Sequence, residues 1–101
     1  MYILKKNLDL IKSGTKKREW RKFSDYTKKL LFKKDDAHDG KYIGNEDIKE
    51  IEFVVRKTGE TLTKGVESIR LLKFNRDVRL PDENFTALNG QFAIEIVFSR
   101  E

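Results

Sequence analysis

Apolar and polar residues alternate most regularly in the stretch QFAIEIVFS, residues 91–99. Every second position there is apolar: Phe92, Ile94, Ile96 and Phe98. A period of two is typical of a β-strand that buries one face, so this stretch is the clearest predicted strand. The same period recurs in residues 51–55, IEFVV. Residues 66–74, VESIRLLKF, also fit a helical spacing, but we predict a strand there because the segment is short and follows a glycine.

The amino-terminal third contains shorter apolar segments between polar ones. Residues 1–6 predict a short strand, and Asn7 is a suitable N-cap for a helix over residues 8–13. Gly14 can end that helix in the left-handed conformation. The side chains expected to face the core from this helix are Leu8, Leu10 and Ile11.

A charged strand and a second helix are predicted next. Residues 15–22 have one aromatic residue and no helical apolar stripe, which favours an extended strand. Alternation would place Lys16, Arg18 and Trp20 on one face, and Lys17, Glu19 and Arg21 on the other. A helix follows over residues 25–32, with Ser24 or Asp25 as its cap. Its packed side is expected to hold Tyr26, Leu30 and Leu31.

The remaining segments lack a regular apolar period and predict loops, at residues 35–47, 58–65 and 75–90. The last of these ends in Asn89-Gly90, a strong turn signal. We therefore expect four or five short strands and one or two short helices on a chain of 101 residues. That length suits a single domain over residues 1–101. The predicted fold is α+β, built around a strongly curved sheet or small β-barrel that the last strand closes.

Composition narrows the class of protein. Hydrophobic residues make up 38% of the chain and charged residues 39%, but 11% are aromatic, which argues against wholesale disorder. The chain has no cysteine, so it suits a reducing compartment, and we expect a cytoplasmic location. No stretch approaches the roughly 18 apolar residues of a membrane span. We expect a soluble, unprocessed protein without membrane contact, and the sequence leaves its oligomeric state open.

Positive charge is concentrated in one segment of the chain. The net charge is +5, but residues 11–34 carry ten basic and two acidic side chains, a net +8. Residues 35–52 carry seven acidic and two basic side chains, a net −5. Such a concentration is what a polyanion-binding surface would have. Alternatively, the acidic segment folds against the basic one and neutralises it.

Within the basic segment, the order of residues resembles the signature of a known family. In LDLIKSGTKKREWR an apolar helix is followed by Gly14, Lys16, Glu19 and Arg21. This order is similar to the G-x-K-x-x-E-x-R pattern of the ASCH family, a branch of the PUA-like β-barrels. The segment DYTKKLL also resembles a phage and bacterial subset of that family. Residues 5–31 carry the resemblance well, and the later strands agree only in pattern.

The resemblance implies a PUA-like barrel whose motif lines a cleft for RNA or a nucleotide. Some small bacterial members of the superfamily hydrolyse N4-acetylcytidine or act as ribonucleases. In the amidohydrolase pattern Lys16 and Arg21 are matched, but a threonine stands where this chain has Glu19, which argues against a threonine-based mechanism. Such enzymes are expected to have a further catalytic carboxylate, for which Glu52 and Glu67 are candidates.

Lys16, Glu19 and Arg21 are candidates for both catalysis and binding. As a catalytic pair, Lys16 would act as base or electrostatic stabiliser and Glu19 as acid or base. Residues three apart in a strand point to opposite faces, so this pair meets only if the segment bulges or bends. The alternative is an ion pair of Glu19 with Arg21 on one face, which orients the arginine fork towards a phosphate.

Other residues of the basic segment would complete a binding surface. The candidates for ligand contact, besides Lys16 and Arg21, are Arg18, Trp20, Lys22, Tyr26, Lys28 and Lys29. An aromatic side chain among basic residues suits base stacking. The alternative is ordinary packing, in the core for the single tryptophan and on the helix for Tyr26.

No metal site or cofactor is predicted. His38 lies near Asp36 and Asp39, but one histidine without cysteine or a metal-ligand spacing is a poor metal signal, and we interpret the segment as a solvated loop. Three hypotheses remain: an RNA- or nucleotide-binding domain, a hydrolase on a modified nucleoside or RNA, and a phage or bacterial protein-interaction module.

Overall fold

The computed structural model describes residues 1–35, 41–80, 85–87 and 90–100. These residues form an α+β fold, as predicted, with two helices and eight strands. The elements are α1 (Lys5–Lys12), β1 (Arg18–Lys22), α2 (Asp25–Leu31), β2 (Phe32–Asp35), β3 (Lys41–Gly44), β4 (Glu50–Val54), β5 (Thr61–Lys73), β6 (Val78–Leu80), β7 (Phe85–Ala87) and β8 (Phe92–Phe98).

The main sheet is antiparallel and contains four strands in the order β1-β8-β5-β4. It curls as a half-barrel, which confirms the predicted strongly curved sheet. The strands β2 and β3 pair separately, as do β6 and β7. The last strand, β8, joins β1 to β5 instead of standing at an edge. This position suits β8 because four consecutive residues in it, 93–96, are buried.

The core lies on one face of this sheet, which we call the inner face and which carries Ile94, Ile96 and Phe98. Helix α1 contributes Leu8 and Ile11, whose spacing of three places both on one side of the helix. The remaining buried apolar members of this cluster are Ile3, Leu31, Phe32, Ile51, Phe53, Val55 and Val66. The face of the sheet opposite to this core is called the outer face below.

Helix α1 starts earlier than predicted. Its N-cap is Leu4, which makes no side-chain cap hydrogen bond, and Asn7 is buried within the helix, so the prediction of Asn7 as N-cap is wrong. Leu10 is 40% exposed and does not face the core as expected. The predicted stop at Gly14 agrees with its φ of +81° and with the hydrogen bond of 3.1 Å that its N–H donates to the Ile11 carbonyl.

The first residues do not form the predicted strand. They run beside β4, where the Ile3 N–H donates to the Val54 carbonyl at 3.0 Å, but only Tyr2 and Val54 make a bridge, in parallel orientation. The chain turns into α1 at Lys5, so the last two residues of the predicted strand belong to the helix instead.

Helix α2 has the predicted cap and a different buried side. Ser24 and Thr27 form a capping box, with the Ser24 N–H donating to the Thr27 hydroxyl at 2.9 Å. The Thr27 hydroxyl also donates to the Lys22 carbonyl at 3.0 Å, which ties the helix to the end of β1. This tie turns Thr27 and Leu31 inwards. Consequently Tyr26 and Leu30 are 65% and 42% exposed, and their predicted packing is wrong.

Segments predicted as loops contain further strands. The first holds part of the β2–β3 hairpin, the second holds the start of β5, and the third holds β6 and β7. At the end of β3, a Cβ on Gly44 would overlap the carbonyl oxygen of Ile69 in β5, so only glycine permits this approach. The predicted solvated loop around His38 and the turn at Asn89 lie outside the described residues.

Candidate functional site

Lys16, Glu19 and Arg21 form an ion-paired group that we call the inner cluster. One carboxylate oxygen of Glu19, Oε1, lies 2.6 Å from Lys16 Nζ, and the other, Oε2, accepts a hydrogen bond of 2.7 Å from Arg21 Nη2. The side chains of Lys16 and Glu19 are 4% and 0% exposed, whereas that of Arg21 is 21% exposed. Of the three residues, Arg21 therefore has the greatest surface available to a ligand.

The contact between Lys16 and Glu19 arises because Lys16 lies outside the strand. Strand β1 begins only at Arg18, and the Lys16 N–H donates instead to the Leu10 carbonyl of α1 at 2.9 Å. The prediction of an alternating strand from residue 15 is therefore wrong at Lys16. From Arg18 onwards the alternation holds, since Glu19 and Arg21 pair with Ile96 and Ile94 of the inner face.

Burial makes the inner cluster electrostatically strong and costly to disturb. A lysine ammonium removed from water requires a compensating charge, which Glu19 supplies at close range. Glu19 in turn carries one cation on each oxygen, and the three side chains together have a net charge of +1. The cluster therefore holds Arg21 in one orientation at the border of the core.

Arg21 is connected both to residue 1 and to the basic surface of α2. Burial lowers the pKa of the Met1 amino group, and the positive charge of Arg21 lowers that pKa further. The next residue, Lys22, carries the carbonyl that accepts the Thr27 hydroxyl. Arg21 thus lies close in the chain to Lys28 and Lys29 in the last turn of α2.

A second carboxylate, Glu95, is buried on the outer face with two arginines. Its side chain is 2% exposed, and its Oε2 accepts a hydrogen bond of 2.7 Å from Arg18 Nη1. Its Oε1 accepts from Arg70, through Nε at 2.9 Å and through Nη2. We call Arg18, Glu95 and Arg70 the outer cluster. The two arginines are 51% and 57% exposed, so this cluster lies at the surface.

Sequence reasoning included Arg18 and missed Glu95 and Arg70. A signal for Glu95 was present: in FAIEIVF the positions between the inward apolar residues hold Ala93 and Val97 on either side of Glu95. A strand that is apolar on both faces is buried on both, so a carboxylate within it requires cations nearby. The choice of Arg70 depends on the register of β5 and β8, which local sequence does not encode.

The remaining candidate residues divide between partly buried and exposed positions. Trp20 is half-buried in a small cluster with Ala93, Phe74 and Val78, apart from the main core. Its ring centroid lies 6.4 Å from that of Phe74. The solvent-exposed candidates are Lys22, Tyr26 and Lys29, and Lys28 is half-buried. The basic segment thus presents Tyr26 among lysines on the outside of α2.

The two later carboxylates considered for a catalytic role do not join the inner cluster. Glu52 alternates with the buried Ile51 and Phe53 and points to the opposite side of β4. Glu67 is exposed at the irregularity in β5 between Val66 and Ser68. Among the described residues, no group of three or more His, Cys, Asp or Glu side chains could hold a metal ion.

In the described part of the chain, no helix is long and apolar enough to cross a membrane. Comparisons with protein-family models, curated proteins and solved structures gave no match to this chain. The geometry of the two clusters and the basic surface around them is therefore the basis for assigning a function.

Proposed function

We propose that the protein binds RNA or a nucleotide, as an ASCH-type domain of PUA-like fold, and that Arg21 makes the central ligand contact. The observation that carries the proposal is the fully buried carboxylate of Glu19, which holds Lys16 on one oxygen and Arg21 on the other. A buried ion pair adds little net stability to a fold, because the cost of removing both charges from water offsets their attraction. In binding sites, a residue placed like Glu19 holds the side chain that touches the ligand in position.

The geometry of Arg21 supports a phosphate contact. Glu19 engages Nη2 of the guanidinium, and Nε is buried without a hydrogen-bond partner among the described residues. A guanidinium presents five N–H donors in a fixed plane, so an anion can be bound by the donors that Glu19 does not use. Because its orientation is set in advance, less conformational entropy is lost on binding.

The surroundings of Arg21 support a polyanion. Residues 11–34 have a net charge of +8, and the exposed side chains near Arg21 in the sequence include Lys22 and Lys29. Tyr26, 65% exposed between them, is available to stack on a base. The absence of cysteine from the sequence suits a reducing compartment, and the proposal includes a cytoplasmic location.

A binding screen of nucleosides, nucleotides and short single-stranded RNAs tests this proposal. If six phosphate contacts form, RNA affinity falls by roughly 300-fold between about 50 and 200 mM salt. Arg21→Gln should lower affinity for RNA and for nucleotides by about tenfold or more. Arg56→Gln is the matched control. It removes the same charge from an exposed arginine that lies over the Tyr2 ring just after β4, outside the inner cluster and α2. The proposal is contradicted if RNA affinity does not change with salt concentration. It is also contradicted if Arg21→Gln and Arg56→Gln lower the affinity equally.

The stacking role of Tyr26 is tested separately. Tyr26→Ala should weaken RNA binding by about 5- to 150-fold, which corresponds to about 1 to 3 kcal/mol per stacked base. Leu30→Ala is the control, since Leu30 is an exposed apolar residue of the same helix. If both substitutions have the same effect, Tyr26 does not stack on a base.

The second candidate function is hydrolysis of a modified nucleoside such as N4-acetylcytidine, or of RNA. The observation that favours it is the 2.6 Å separation of Lys16 Nζ and Glu19 Oε1, a distance at which a proton can be exchanged. This function is supported if the wild type hydrolyses N4-acetylcytidine or RNA and the Lys16→Ala variant, still folded by circular dichroism, does not. If the wild type binds these ligands without hydrolysing them, only the binding function stands.

A further inference from the structure

The outer cluster joins three neighbouring strands on the face opposite to the core. Arg18 is in β1, Glu95 is in β8 and Arg70 is in β5, and β8 lies between the other two. Arg70 is directly paired with Glu95 in the sheet register. Arg18 reaches the same carboxylate diagonally, from two residues before Trp20, which is the residue of β1 paired with Glu95. One buried carboxylate thus fixes two arginines from different strands.

The outer cluster retains positive charge and hydrogen-bond donors at the surface. Two guanidinium groups and one carboxylate have a net charge of +1. The contacts to Glu95 use one nitrogen of Arg18 and two of Arg70, whereas each guanidinium has five N–H donors. Because both arginine side chains are more than half exposed, the other donors can reach an anion without rearrangement of the sheet.

The position of β1 relates this cluster to Arg21. Strand β1 is at the edge of the main sheet, and its side chains alternate between the two faces, so Arg18 is on the outer face and Arg21 on the inner one. Three residues along a strand span about 10 Å. A ligand with a single phosphate cannot contact both arginines, whereas a chain of several nucleotides passing around this edge can.

We infer that the outer cluster is a second phosphate-binding site and that the ligand is consequently a single-stranded RNA of several nucleotides. This inference rests on the proposed function and specifies its ligand class. Arg18 and Arg70 bind backbone phosphates, and Glu95 is a positioning residue that orients both guanidinium groups. The net charge of +8 in residues 11–34, which include Arg18, favours a polyanion over an isolated carboxylate as the occupant.

The test removes the outer cluster without leaving a buried charge unpaired. The variant Arg18→Gln/Arg70→Gln/Glu95→Gln loses two positive charges and one negative charge, a net change of −1. Lys57→Gln has the same net change and lies in the exposed turn after β4, so it is the matched control. Binding is measured by fluorescence anisotropy with a labelled single-stranded RNA of about 12 nucleotides. Calorimetry with a nucleoside monophosphate is run in parallel.

The triple variant should bind the RNA at least about tenfold more weakly than the Lys57→Gln variant. The plot of log affinity against log salt should become shallower by about 1.4, because two phosphate contacts to a single strand are lost. Affinity for the nucleoside monophosphate should fall much less than affinity for the RNA, because Arg21 remains to bind a single phosphate. Should the triple variant fail to fold, Arg18→Gln alone, which leaves Glu95 bonded to Arg70, should reduce the slope by about 0.7.

The possible results separate this inference from the proposed function. If the wild type binds RNA and the outer-cluster variants bind it with the same affinity, the inference is overturned and the proposed function stands. Loss of monophosphate binding in the triple variant also overturns it, because the outer cluster would then be the single-phosphate site. Absence of any nucleotide or RNA binding by the wild type overturns both.

Discussion

Glu19 and Glu95 are both buried carboxylates of the main sheet, and their cations differ in exposure. Glu19 belongs to β1 and pairs with Ile96, the residue after Glu95 in β8, so the two carboxylates lie on opposite faces of adjacent strands. The cations of Glu19 are 4% and 21% exposed. Those of Glu95 are 51% and 57% exposed.

This difference determines what each cluster contributes. In the inner cluster Lys16 and Glu19 are paired away from water, and Arg21 is the most exposed of the three side chains. In the outer cluster the carboxylate is hidden beneath cations that still face solvent. We therefore regard Glu19 chiefly as an internal support, and Glu95 as an anchor for a charged surface.

The largest expected effect concerns stability and the inner cluster. Glu19→Gln should lower the free energy of unfolding by about 3 to 5 kcal/mol, because it removes the negative charge that lies 2.6 Å from the buried Lys16 ammonium. Urea unfolding followed by circular dichroism measures the change.

The control for this prediction replaces the pair rather than breaking it. In Lys16→Met/Glu19→Leu both charges of the pair are removed together, and Arg21 can turn towards water, so most of the lost stability should return. A cost below about 1 kcal/mol for Glu19→Gln would mean that Lys16 finds water or another charge, and the proposed difference between the two carboxylates would disappear.

A smaller effect is expected for the corresponding change in the outer cluster. Glu95→Gln should lower the free energy of unfolding by about 1.5 to 3 kcal/mol, the usual net contribution of hydrogen bonds to charged groups. The cost is smaller than for Glu19 because the half-exposed Arg18 and Arg70 can regain hydration. The same urea experiment compares both glutamine variants directly. If Glu95→Gln is as costly as Glu19→Gln, cation exposure does not distinguish the clusters.

Local sequence was sufficient for features that depend on neighbouring residues. The helix stop at Gly14, the cap at Ser24 and the alternation in β8 each follow from the chemistry of a few adjacent positions. The buried side of α2 did not follow from them. Tyr26 and Leu30 are the more apolar side, but the hydrogen bonds of the Thr27 hydroxyl to the Ser24 N–H and the Lys22 carbonyl orient the helix differently.

The candidate sites show the same limit. Lys16 and Glu19 could be selected from the sequence, but their contact depends on where β1 begins, which is fixed by the pairing with β8 about 77 residues away in sequence. The Lys17 carbonyl already accepts the Phe98 N–H, so Lys16 is the first residue outside the ladder. The outer cluster needs the register of three strands, and a pattern along one segment contains no information about it.

The smallest expected effect is the response of each cluster to salt. Arg18 is 51% exposed, so a double-mutant cycle with Arg18→Gln and Glu95→Gln should give a coupling free energy of about 0.5 to 1 kcal/mol at low salt. At about 1 M salt the Debye length is about 3 Å, and this coupling should fall by about half or more.

The equivalent cycle with Lys16→Met and Glu19→Gln should give a coupling that hardly changes, because ions do not penetrate to a side chain that is 4% exposed. Equal salt sensitivity in the two cycles would show that solvent reaches the inner cluster, and Lys16 and Glu19 would then be accessible to a ligand together with Arg21.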